Sequence, residues 1–259
     1  MASQIIESYI SLLIPMLAWV VFWYLISIVI NRNDFVDVAW GLGFIYITFW
    51  LTINNDPLIL QYIVNGLVAL WGLRLAIYLF SRNRKKKEDY RYKQWRDDWG
   101  KWFYIRSFLQ VYVLQTVLML FIALPLVFVS NLQGLALNGW SAIGIICWLI
   151  GFYWQVVGDY QKGQFKKSPS NNGELMTSGL WSKSRHPNYF GEILMWWGVW
   201  LVLIPYSLGW TTVISPIVIT YLLLKVSGVP MLEAKQRKHP DFEEYSKRVP
   251  AVFPRWMNN

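Results

Sequence analysis

The stretch SRHPNYFGE at positions 184–192 sets a guanidinium, an imidazole, an amide, a phenol and a carboxylate side by side, as Arg185, His186, Asn188, Tyr189 and Glu192. Pro187 ends any preceding helix and suits the first position of the next one. Asn188 and Glu192 then lie four residues apart on one helical face. The free N–H groups of a helix start also favour an anion. Just upstream, GDYQKGQFKK at 158–167 puts Asp159, Lys162, Lys166 and Lys167 near one face at helical spacing. Cations of this kind match phosphates, and an acid matches a ribose or adenine donor. On charge alone these lysines read as a solvated loop; the polar crowding at 184–192 is what calls for a bound cofactor. His186 has no cluster of partner ligands, so no metal site is expected. A tail, SGVPMLEAKQRKHPDFEEYSKRVPAVFP, follows from residue 227, with Glu233, Arg237, Asp241 and Tyr245 recurring every four residues. It reads as an amphipathic helix on the headgroups, or as a lid over a cofactor pocket.

These groups need positioning elements, and the composition says what kind. Of 259 residues 55% are hydrophobic and only 15% charged, whereas a soluble domain is about a quarter charged. Mean hydropathy is +0.31. Many of the 17 tryptophans sit near the ends of apolar runs, as suits a membrane interface. A crossing needs about 20 mostly apolar residues. Candidate runs are 9–30, 35–53, 58–80, 108–129, 140–157, 189–204 and 210–227. The fold class expected is therefore all-α, a single polytopic membrane domain of about seven transmembrane helices. The first run lacks a basic n-region and a small-residue cleavage site, so it reads as a retained helix. The second and sixth runs are the weakest, because they carry Asp37 and Glu192.

The net charge of +9 sits between the runs rather than along one nucleic-acid-binding stripe, so no nucleic-acid partner is expected. The connections at 54–57, 131–139 and 205–209 hold no Lys or Arg, while 81–106, 159–187 and the tail hold most of them. With seven crossings, all basic segments share one face: N-terminus outside, C-terminus cytoplasmic. The basic run 84–87, which includes Lys85, reads as a stop-transfer and anionic-lipid contact. Cys147 is the only cysteine, so no intrachain disulfide forms. Within the apolar runs, Asp37 and Arg74 are charges that the bilayer tolerates only when paired or facing a cavity. Pairing with each other and a role in a site are equally open.

Taken together, GLWSKSRHPNYFGE, the preceding GDYQKGQFKK, the terminal SGVPMLE and FEEYSKRVPAVFP, NRNDFVDVAWGLGF, and LRLAIYLFSRN with EDYRY make the chain resemble the DUF1295 branch of the steroid 5-alpha-reductase family. The likeness runs from about residue 34 to residue 254. It implies a seven-helix membrane reductase that uses NADPH to add hydride to a carbon–carbon double bond conjugated to a carbonyl. The cofactor would enter from the cytoplasm, and a lipophilic substrate from the bilayer of a bacterial inner membrane or endoplasmic reticulum. By position, Asp159 and Asn188 match cofactor-binding residues and Glu192 the helical neighbour of that Asn, Lys166 and Lys167 fall where phosphates are met, and Tyr245 lies in the Phe-Glu-x-Tyr segment of the tail; Glu192 is expected in the cofactor site with them. Lys162, Arg185, His186, Tyr189 and Arg237 are expected in the same cofactor site.

The resemblance departs from the steroid reductases where a Glu and a Tyr polarise the substrate carbonyl. Asp37 and Trp71 are the nearest residues here. A carboxyl in an apolar site stays protonated and can donate, whereas an indole N–H is no acid. Arg74, one turn from Trp71, is a further candidate for that oxygen. A similar Arg-His-Pro-x-Tyr element occurs in isoprenylcysteine carboxyl methyltransferases. An S-adenosylmethionine-dependent methyltransferase of a lipid or prenylated substrate is therefore the alternative. Lys162, Lys166 and Lys167 suit phosphates better than a sulfonium.

Overall fold

The computed structural model describes residues 2–55, 58–84, 86–134 and 136–255, with residue 2 and residues 90–91 described by backbone alone. Lys85 of the basic run, Leu135, and residues 56–57 of the uncharged connection lie outside the described residues. Among the described residues there are helices and turns and no strand. Six helices among the described residues are long and apolar enough to cross a membrane: Ser3–Val29, Val36–Ile53, Ile59–Asn83, Tyr92–Ile122, Gly139–Phe165 and Gly209–Gln236. Ile14, Phe22, Ile146 and Tyr221 leave more than half of their surface uncovered, as lipid-facing positions do. The chain is a polytopic helical membrane protein. It divides into two compact units, Met1–Leu137 and Asn138–Asn259.

Unit 1 begins with α1 (Ala2–Val29), α2 (Val36–Ile53) and α3 (Ile59–Asn83). The α2–α3 pair is held by backbone contact at two glycines. A Cβ on Gly41 would sit 2.5 Å from the Gly72 carbonyl oxygen, and one on Gly72 would sit 2.5 Å from that of Gly41. Small residues of this kind are how membrane helices approach closely. The next crossing is segmented into α4 (Tyr90–Trp99), a 3-10 turn, α5 (Phe103–Ser107), a π-helical stretch over Phe108–Val113, and α6 (Leu114–Ile122). It starts well before the run expected from residue 108. Its charges look loop-like, but Tyr92, Trp95, Trp99 and Phe103 form a contiguous aromatic stripe, with Trp95 stacked on Trp99 at 5.3 Å. At the other end the run breaks at Ala123. Pro125 cannot continue a helix but suits a helix start, and α7 (Leu124–Asn131) begins there.

Unit 2 begins with α8 (Gly139–Phe165), whose start is capped by the Asn138 side chain accepting from the Ser141 N–H at 3.0 Å. This helix runs eight residues past the apolar stretch that ended at Val157, so Asp159 and Lys162 are helical. A turn-rich stretch follows, as the Gly, Ser, Asn and Pro content predicts. Then α9 (Pro187–Leu201) starts at the proline. It has 15 residues, about 22 Å at 1.5 Å each, shorter than the ~30 Å of a bilayer core. The sixth expected crossing is therefore a shorter helix followed by turns to residue 208. The chain continues through α10 (Ile214–Tyr221), a π-helical stretch over Leu222–Val226, α11 (Val229–Gln236) and α12 (Phe242–Arg248). The tail is not one helix with a single every-fourth-residue face. Pro240 interrupts it, and of the four recurring residues Arg237 and Asp241 are exposed while Glu233 and Tyr245 turn inward.

A glycine seam joins α8 to α9. Added Cβ atoms on Gly144 and Gly198 would fall 2.5 and 2.6 Å from each other's carbonyl oxygens. On Gly151 and Gly191 they would fall 2.5 and 2.3 Å from each other's. The glycines recur every seven residues on both helices, the repeat of a left-handed coil. Near the loop end, Gly158 faces Pro187 and the Asn188 backbone at 3.3 and 3.4 Å. The seam therefore fixes which polar side chains of α8 meet those of α9.

Candidate functional site

The mouth of α9 in unit 2 gathers most of the expected cofactor residues. Asn188 Nδ2 donates to Asp159 Oδ1 at 3.2 Å. One turn deeper, Gln155 Nε2 donates to Glu192 Oε2 at 3.0 Å. Gln155 and Asp159 are four apart on α8, and Asn188 and Glu192 four apart on α9, so the expected shared face exists and points at α8. The carboxylate fixes the Asn188 amide with its NH2 towards Asp159, which leaves Oδ1 as an acceptor. That Oδ1 is buried with no hydrogen-bond partner.

Arg185 and His186 sit on the approach to α9 and are both buried. Arg185 is fully engaged. Its Nε and Nη2 meet Glu233 Oε1 at 2.8 and 2.7 Å, and its Nη1 donates to the carbonyls of Ser246 and Val249 at 3.1 and 2.6 Å. The His186 ring stacks on Tyr189 with centroids 5.3 Å apart and planes 8° apart. Its Nε2 lies 3.3 Å from Glu233 Oε1, and its Nδ1 is buried with no partner. Burial lowers the His186 pKa, Glu233 opposes that shift, and Lys162 and Arg185 reinforce it. The ring is thus neutral at physiological pH.

The tail is pinned to this mouth. The Arg185 N–H donates to the Pro250 carbonyl at 2.9 Å, and Ser184 Oγ to that of Val252 at 2.7 Å. The buried Tyr245 hydroxyl donates to the Trp181 carbonyl at 2.6 Å. Burial raises the Tyr245 pKa, so the phenol keeps its proton. Trp181 in turn donates Nε1–H to the Gly158 carbonyl at 3.0 Å and carries the Lys162 ammonium 4.3 Å above its ring. Lys166, Lys167 and Arg237 are exposed.

In unit 1, the expected catalytic residues lie on α2 and α3. Asp37 is half-buried in the first turn of α2, with its carboxylate 4.0 Å from Arg82. Arg82 is about 12 Å along α3 from Arg74 at ~1.5 Å per residue. The Arg74 guanidinium lies over the Tyr78 ring at 5.1 Å. Trp71 is fully buried, edge-on to Phe44 at 5.2 Å. The densest ionic cluster of this unit was not expected. Arg32 grips the buried Asp34 through two hydrogen bonds, of 3.0 and 2.7 Å. Glu88 accepts from the Asn33 backbone at 2.7 Å and from Arg96 at 3.3 Å.

Three residues of the α9 mouth escaped sequence reasoning as site residues: Gln155, Trp181 and Glu233. Gln155 left a signal, as a lone amide one turn before Asp159 in an apolar run. Glu233 left two signals, its place in the four-residue spacing of the tail and the end of the SGVPMLE motif. One further group among the described residues has convergent potential metal ligands, Glu174, His239 and Asp241, within 4.8 Å of one another at the surface.

Comparison with known proteins agrees with the resemblance in the motifs. The chain is 23% identical over 250 residues to the uncharacterized protein C594.04c of Schizosaccharomyces pombe, covering 85% of this chain and 70% of the relative. It is 40% identical over 52 residues to the probable O-methyltransferase ustE of Ustilaginoidea virens, covering 20% of this chain and 18% of that protein. No solved structure matches. A family model, DUF1295, described as a protein of unknown function, matches residues 23–249, and this chain belongs to that family.

Proposed function

We propose that the chain is a membrane-embedded, NADPH-dependent reductase of a lipophilic enone, with its cofactor site at the mouth of α9. The observation that carries this reading is the pair of buried acceptors without donors, Asn188 Oδ1 and His186 Nδ1. Buried acceptors of this kind are costly, and a nucleotide cofactor supplies the missing donors through its carboxamide and hydroxyls. Lys162 beside Trp181, with Lys166 and Lys167 at the end of α8, supplies charge for phosphates. When bound, NADPH would provide the hydride. The chain's own residues would bind and orient it. Counting α9 and its following turns as a crossing puts the basic segments on one face, which we take as cytoplasmic. The apolar substrate would come from the bilayer.

The test is NADPH affinity in detergent-solubilised variants. Asn188→Ala and Asp159→Ala each remove one half of the pair, and binding should weaken about tenfold or more for each. Unchanged affinity in both would sink the assignment.

In unit 1 the residue we propose for the reaction is Asp37; beside Arg82 and half-buried, it is not in the apolar surroundings expected of it, and it would donate to an enolate oxygen only when protonated. Asp37→Asn should keep NADPH affinity and lose most turnover of an enone substrate. Full turnover in Asp37→Asn would make Asp37 a structural partner of Arg82. The 40% identity to a probable O-methyltransferase favours a second reading, S-adenosylmethionine-dependent methyl transfer to a lipid or prenylated substrate.

A further inference from the structure

Glu233 closes the SGVPMLE motif of the tail, far in sequence from SRHPNYFGE, yet its buried carboxylate meets Arg185 and His186 of that stretch. The Arg185 guanidinium clamps Oε1 through Nε and Nη2. A carboxylate held this way is ionised and offers only lone pairs. His186 Nε2 faces the same oxygen at 3.3 Å. A bare Nε2 there would set two acceptors against each other, so Nε2 carries a hydrogen. A second proton on the ring is opposed by every other charge around it, Lys162 on α8 and Arg185 in the preceding loop. It would also bury an N–H at Nδ1 with no acceptor. Tyr189, stacked on the imidazole, fixes the ring plane. The remaining state is a neutral imidazole, hydrogen on Nε2, lone pair on Nδ1.

We propose that Glu233 is a positioning residue that holds His186 in the Nε2–H tautomer, so that Nδ1 accepts from an uncharged N–H or O–H of the bound nucleotide and not from its phosphates. The ligand half of this inference rests on the cofactor site proposed above, while the tautomer half stands without it. A third group that fixes an imidazole's orientation and tautomer is a recurring device wherever a histidine must present one defined nitrogen. Because Nδ1 is closed off from bulk water here, the donor reaches it only as the ring's neighbours shift.

The chain has only two histidines, which makes the test direct. His239→Ala leaves one imidazole in the full-length, detergent-solubilised protein. With 15N-labelled histidine, two-bond 15N–1H correlations distinguish the tautomers at neutral pH. The expected spectrum is a single Nε2–H form. Glu233→Gln should keep it, because the amide oxygen still accepts. Glu233→Ala should release it to a mixture, with NADPH affinity falling about tenfold and recovering in Glu233→Gln. Saturating NADPH should move the bare Nδ1 resonance. An Nδ1–H form or an imidazolium in the His239→Ala background would overturn the assignment. So would an unchanged tautomer in Glu233→Ala, or an Nδ1 resonance that ignores bound NADPH. If Glu233→Ala does not fold, the background tautomer and the NADPH-induced shift still decide. Failure of NADPH to bind at all, with the Nε2–H form present, would remove the cofactor reading and leave the Glu233–His186 arrangement standing.

Discussion

Arg185→Ala is expected to destabilise the protein by about 3–5 kcal/mol, the usual cost of removing one partner from a buried ion pair. The reason is what stays behind. Glu233 would keep a buried charge without its guanidinium, and the Ser246 and Val249 carbonyls would lose their donor. Those two carbonyls belong to the tail, so its attachment to the mouth of α9 should loosen with the fold. Arg185→Lys keeps the charge but not the planar fork, and one ammonium cannot reach Glu233 and both carbonyls at the same geometry. It should fall between wild type and Arg185→Ala. Thermal unfolding in detergent, together with proteolysis of the tail, measures both effects. An Arg185→Ala protein within about 0.5 kcal/mol of wild type, the range of an ordinary surface substitution, would contradict this picture of the mouth.

Gly191→Ala is the second large effect. A methyl there would lie 2.3 Å from the Gly151 carbonyl oxygen and 2.6 Å from the Gln155 backbone nitrogen. Both obstacles are backbone, so no side chain can step aside. The helices must separate, at a cost of about 1–3 kcal/mol or more. That exceeds the ~1 kcal/mol by which Ala is the better helix former. Separation would also pull Gln155 from Glu192 and Asn188 from Asp159, because the seam sets their register. Gly163→Ala near the end of α8 is the contrast, since a Cβ there meets nothing within 4 Å. It should be neutral or stabilising. Melting temperatures of the two variants should therefore move in opposite directions or differ clearly. Equal values would show that close backbone approach does not hold α8 to α9.

Much of this arrangement is legible in the residues themselves. Pro187 announces the start of α9, and the four-residue step from Asn188 to Glu192 announces a shared face. The loop before them is announced by its Gly, Ser, Asn and Pro. What the sequence hides is partnership. Gly144, Gly151 and Gly158 keep a seven-residue spacing, but nothing in the chain says that Gly191 and Gly198 answer them. Glu233 is 48 residues from Arg185 and looks like any acid in a charged tail, so its burial is visible only in three dimensions. Charge misleads in the other direction at residues 92–107. There the basic residues suggest a loop, while aromatic side chains three and four apart make a helix. Asp34 is hidden for a different reason: it lies just before the apolar run 35–53, where a charge is unremarkable, and its grip by Arg32 shows only in the structure.

The most direct measurement of the central claim, that the mouth of α9 is a nucleotide-cofactor site of a reductase, is calorimetric titration of the wild-type protein in detergent with NADPH and, separately, with S-adenosylmethionine. Saturable NADPH binding that weakens with added salt, with none for S-adenosylmethionine, is the predicted result. Binding of S-adenosylmethionine alone would contradict the claim and assign the same mouth to methyl transfer.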